Sequence, residues 1–135
     1  MSDFTVDVSE VRRLADNLGK IAGKAVKDVD LVVKKGAQNV KEEMAADVRT
    51  SKHFVGKKGP GLESAMSYDS AYSVGAVRYE VGPDKSRPGG ALGNIYYFGT
   101  SRGGGSGDIE KPIRSEAPRL ESALLDLGDE FGSRL

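Results

Sequence analysis

Residues 20–49 read KIAGKAVKDVDLVVKKGAQNVKEEMAADVR, and the spacing of the apolar side chains in this stretch decides the architecture. Ala25, Val29, Val32 or Val33, Ala37, Val40, Met44 and Val48 recur at intervals of three and four, with Lys, Asp and Glu between them. That is the pattern of a helix with one apolar stripe. A helix over 20–49 is a rod of about 45 Å, at roughly 1.5 Å of rise per residue. Gly36 is its weak point, worth about 1 kcal/mol relative to alanine. A rod that long with a single stripe spans its own domain and offers its far face to neighbours.

On the N-terminal side, Phe4, Val6 and Val8 alternate with Thr5 and Asp7, which predicts a short strand or extended arm, with Asp7 or Ser9 as the cap of a helix. Val11, Leu14, Leu18 and Ile21, spaced by three and four, predict that first short helix to about Leu18, broken at Gly19. On the C-terminal side, TSKHFVGKKGPG at 50–61 holds cations, glycines and Pro60 and no acid, so the helix must end in a flexible basic loop. Met66, Tyr68 and Tyr72, then Val77, Tyr79 and Val81, predict a β-hairpin with strands near 65–73 and 76–82.

Residues 82–94, GPDKSRPGGALGN, are rich in glycine with two prolines, a composition that predicts a protruding loop. Ile95 to Phe98 reads as a short aromatic strand, and Gly99 to Asp108 as a second glycine-rich loop. Ser115 is the expected cap of a last helix, with Glu116 and Pro118 in its first turn and Leu120, Ala123, Leu124, Leu127 and Phe131 as its apolar face. The expected fold class is therefore α+β: a long N-terminal helix and a C-terminal helix packed on a small antiparallel sheet, with long glycine-rich loops.

The chain has 135 residues, the size of one domain over 1–135 that removes roughly two-thirds of its unfolded surface from water. Its hydrophobic fraction of 38% is low and its 18 glycines are many, so part of the chain is expected outside the core. Twenty basic residues balance twenty acidic ones, which removes the uniform positive field of a nucleic-acid binder. Residues 1–58 carry 12 basic and 9 acidic residues and the remainder 8 and 11, a head-to-tail asymmetry that suits self-association. There is no cysteine, hence no disulfide framework or thiolate chemistry, in keeping with a reducing cytoplasm. MSDFTVDVSE lacks the basic and apolar regions of a signal peptide, and no apolar run is long enough to span a membrane.

His53 is the single histidine, so neither a multi-histidine metal site nor a conventional triad is written in the chain. Gly103 to Gly107 lacks the lysine of a phosphate-binding loop, and the carboxylates show no paired or calcium-loop spacing. No enzyme and no cofactor are expected. Arg49, Lys52, His53, Lys57 and Lys58 form a candidate docking loop that would touch DNA phosphates if it lined a channel; the alternative is plain solvation after a helix C-terminus, where cations are favoured. Ile95, Tyr96, Tyr97 and Phe98 concentrate three of the nine aromatic residues in one short segment. In a strand, alternate members point to opposite faces, so Ile95, Tyr96, Tyr97, Phe98, Gly99 and Thr100 are the candidate interface, with burial on both faces as the alternative.

The helix at 20–49, Leu62-Glu63-Ser64-Ala65 opening a hairpin, an aromatic segment Ile95-Tyr96-Tyr97-Phe98-Gly99-Thr100 that ends in Phe-Gly-Thr, and a helix from Ser115 to Phe131 together resemble the tail-component family of long-tailed bacteriophages, the neck or tail-completion proteins that join head to tail. The resemblance implies a structural virion protein forming a homo-oligomeric ring, a hexamer, stacked between a head-completion or connector protein and a tail-terminator or tail-tube protein. It implies location in the neck of the virion and in the host cytoplasm during assembly, with DNA passing non-specifically and no membrane. The runner-up is a tail-terminator ring capping the tail tube. A nucleic-acid-binding domain is disfavoured by the zero net charge and by aromatics not interleaved with basic residues, and a small nuclease by the lack of an acid and base cluster.

Overall fold

The structure, a computed structural model, describes residues 2–8, 20–51, 54–56, 60–71, 76–100 and 103–133. Strand β1 (Ser2–Asp7) is followed by helix α1 (Lys20–Arg49), a single helical turn α2 (Leu62–Ala65), strands β2 (Met66–Ala71) and β3 (Ala76–Pro83), a 3-10 turn (Gly90–Leu92), the short helix α3 (Gly93–Phe98) and helix α4 (Lys111–Ser133). The fold class is α+β, with long N-terminal and C-terminal helices and a three-stranded antiparallel sheet. The expected helix between Val11 and Leu18 lies outside the described residues.

Helix α1 is the spine. Val29, Val33, Ala37, Val40, Met44 and Val48 are buried along one stripe, as their three-and-four spacing dictates. The sheet lies on that stripe, in the order β1-β3-β2 with both pairs antiparallel. Val77, Tyr79 and Val81 alternate inward from β3, and Tyr68 shares their face through its pairing with Val81. Two polar ties lock the sheet to the helix. The Tyr79 hydroxyl donates to Asp30 Oδ1 at 2.7 Å, and Gln38 Nε2 donates to the Tyr68 hydroxyl at 2.8 Å. Burial, then the Asp30 carboxylate beside it, pushes the Tyr79 phenol up to about 12.

Helix α4 runs antiparallel along α1. Lys111 Nζ meets Asp47 Oδ1 at 2.7 Å near one end, Asn39 Nδ2 donates to Glu116 Oε1 at 2.9 Å in the middle, and Gly36 faces Leu120 further on. Ile113, Leu120, Leu124 and Leu127 pack against the core from this side, each only partly buried. The helix begins at Lys111, a turn earlier than the expected start at Ser115. Its capping group is Asp108, whose Oδ1 accepts from the backbone N–H groups of Glu110 at 3.0 Å and Lys111 at 3.2 Å. Pro112 occupies the tolerant first turn, which leaves Pro118 in the helix interior, where it forgoes one backbone hydrogen bond.

Two further expectations give way. Ile95 to Phe98 is helical and not a strand: Gly99 N–H donates back to Ile95 O at 2.9 Å. Four apolar residues are too few for period to separate strand from helix. Nor does 82–94 protrude as a whole. Gly90 and Gly93 are buried, Asp84 N–H donates to Ala65 O at 2.8 Å, and Gly89, at φ 83°, sits against the backbone of Gly61, where a side chain has neither the conformation nor the room.

Candidate functional site

Helix α3 sorts its four apolar residues by helical rather than strand geometry. Tyr96 and Tyr97 are buried, with the Tyr96 ring edge-on to Phe54 at 5.1 Å and to Tyr97 at 4.8 Å, an arrangement that aromatic quadrupoles favour. Ile95 and Phe98 face outward, 43% and 66% exposed, and Leu92 joins them at 37%. Spaced by three, Leu92, Ile95 and Phe98 fall on one side of the continuous helical path through the 3-10 turn and α3.

The second glycine-rich stretch holds this helix in place. Ser106 and Gly107 both donate their backbone N–H groups to Tyr96 O, at 2.8 and 2.9 Å. Thr100 N–H donates to Gly103 O at 2.9 Å and Gly103 N–H returns to Thr100 O at 3.2 Å. A Cβ on Gly107 would overlap the Tyr96 ring, and one on Gly105 the backbone of Tyr97 and Phe98. The absence of a side chain at Gly105 and Gly107 is what permits this close approach to the tyrosines. The Tyr97 hydroxyl is buried without a hydrogen-bond partner among the described residues. Burial first, then Tyr96 and Asp47, push its phenol far above the ordinary tyrosine range, and burial raises Tyr96 in the same direction. Both therefore stay neutral and serve as packing. A shallow cleft of about 110 Å³ lies beside α3, bounded by Pro83, Gly90, Tyr97, Phe98 and Ile109.

The candidate interface is thus divided. Ile95 and Phe98 are available to a partner, Thr100 is exposed and Gly99 half-buried beside them, whereas Tyr96 and Tyr97 belong to the core, a correction that comes from the helical turn. Leu92 is the residue missed in the sequence; its signal is the interval of three to Ile95 and Phe98, visible once the segment is read as helix. Of the candidate docking loop, Arg49 is the exposed last residue of α1, and Lys52, His53, Lys57 and Lys58 lie outside the described residues. Among the described residues, no group of three His, Asp or Glu side chains is placed to hold a metal ion, and no helix is long and apolar enough to cross a membrane. What α3 presents is a rigid apolar ridge suited to contact.

Comparison with protein-family models, with curated proteins and with solved structures finds no match to this chain.

Proposed function

We propose that this chain is a structural subunit that assembles with copies of itself into a ring at the neck of a long-tailed phage particle and joins the head to the tail. The observation that carries the reading is the ridge Leu92, Ile95 and Phe98. Three large apolar side chains stand in solvent on a helix whose other side is anchored by Tyr96, Tyr97 and a glycine collar. Exposed apolar area on so well-fixed a scaffold is area for a partner to cover. The residues that form it end in the Phe98-Gly99-Thr100 that carries the family resemblance.

The test separates contact from folding. Phe98→Asp, alone or with Ile95→Asp, changes side chains that already face water, so the monomer keeps its circular dichroism and melting temperature. In a phage that encodes the chain, the expected product is filled heads and free tails, seen by electron microscopy, with infectious yield lost. Joined particles at normal yield from the double variant would refute the reading.

A further inference from the structure

Among the described residues, two further large apolar side chains stand in solvent outside α3. Leu31 on α1 is 61% exposed and Leu125 on α4 is 64% exposed, and the two carry opposite charge frames. Leu31 has exposed Lys27 and Lys35 one helical turn to either side, with exposed Lys24 and Lys34 nearby. Of the two acids in this half of α1, Asp30 accepts from Tyr79, and Asp28, half-buried, stands beside Lys27 as a single acid among four exposed lysines. Leu125 has exposed Glu121 and Asp129 one turn to either side. The second half of α4, from Leu120, adds Asp126 and Glu130 and contains no Lys or Arg before Ser133. Among the described residues none of Lys27, Lys35, Glu121 and Asp129 is engaged in an ion pair.

Beside Leu31 the α1–α4 pair leaves an apolar groove of about 350 Å³, floored by Val32, Gly36, Leu120 and Ala123 and rimmed by Lys35 and Arg119. On the other surface, Gly128 and Gly132 share the Leu125 side of α4 and have open space where a Cβ would stand, so a partner helix can come close there.

We propose that the outer face of α4 in one copy packs on the outer face of α1 in the next, with Leu125 seated in the groove beside Leu31 and Glu121 and Asp129 set against Lys27 and Lys35. Each frame repeats at four residues, about 6 Å along the axis, so a charge–leucine–charge ladder on one helix matches its opposite on the other in either direction. Because the two surfaces differ, the contact is head-to-tail, and it closes into a ring or propagates. The contact rests on the self-assembly reading above and names the surface that would build the ring, leaving the α3 ridge free for a different layer.

Native mass spectrometry and light scattering on the full chain test it without any phage. The wild type is expected as a multimer; a monomer at the highest soluble concentration overturns the proposal. K27E/K35E alone and E121K/D129K alone are each expected as monomers, since like charges then face across the contact. Mixed in equal amounts, the two should assemble one to one, and the quadruple reversal should assemble by itself. Leu125→Asp should dissociate the assembly with no charge rescue. Single reversals that keep the wild-type mass, or a mixture that stays monomeric, would sink the contact. A multimer lost in K27E/K35E while phage particles still join normally would instead spare the contact and sink the neck reading.

Discussion

Helix α1 and the glycine-rich stretch from 82 to 108 contribute to the same core by opposite means. In α1 the core is a row of side chains, Val29 to Val48, whose spacing alone puts them on one face. In the 82–108 stretch two tyrosines supply the apolar mass, and the glycines around them supply closeness. The first region is specified by a pattern that repeats along the helix. The second depends on a few positions at which nothing larger than hydrogen fits.

The sharpest way to break that comparison is Tyr96→Ala. Tyr96 is 4% exposed, stacks edge-on against two rings, and is gripped at its carbonyl by Ser106 and Gly107. Removal of a buried aromatic ring costs about 3–5 kcal/mol. Urea unfolding should show a loss of that order, with the 99–107 segment becoming the first site of limited proteolysis. An unchanged midpoint would mean that the collar holds α3 without the ring.

Gly107→Ala is expected to do less, by a different mechanism. The added methyl meets the Tyr96 ring, which cannot turn away cheaply because Phe54 and Tyr97 flank it. Overpacking of this kind costs about 1–3 kcal/mol. The same unfolding measurement reads it, and a neutral result would show slack between collar and ring.

The two regions also differ in how much of them is legible in the sequence. The bounds of α1 and the hairpin β2–β3 come from period and turn chemistry, because each is long enough for its pattern to repeat. Residues 95–98 are not, and their aromatic, β-favouring composition points to a strand; the segment instead closes a helical turn from Gly99 N–H to Ile95 O, with the adjacent Tyr96 and Tyr97 both buried. The start of α4 is displaced from its expected position because Pro118 reads as a first-turn proline, while Pro112 takes that place behind the Asp108 cap. Of the candidate interface, its position in the chain is legible and its sorting into exposed Ile95 and Phe98 and buried Tyr96 and Tyr97 is not. Glycine-rich composition says that backbone is close to something or free of everything, and only the fold says which.

Gly36→Ala decides that last alternative within α1 and has the smallest expected effect, of opposite sign. Gly36 is a buried residue in the middle of a 30-residue helix, which invites the thought that α4 needs it small. The distances argue otherwise. A Cβ there would stand 3.5 Å from Leu120 Cδ1 and 3.9 Å from Glu116 Cγ, ordinary van der Waals separations at which contact is attractive. Alanine also removes glycine's excess freedom in the unfolded chain and satisfies the helix better, a gain of roughly 0.5–1 kcal/mol. The variant should therefore unfold at higher urea with an unchanged denaturant slope, where Gly107→Ala unfolds at lower urea. If Gly36→Ala destabilises instead, the α1–α4 seam is as tight as the glycine collar, and the contrast between the two regions fails at this position.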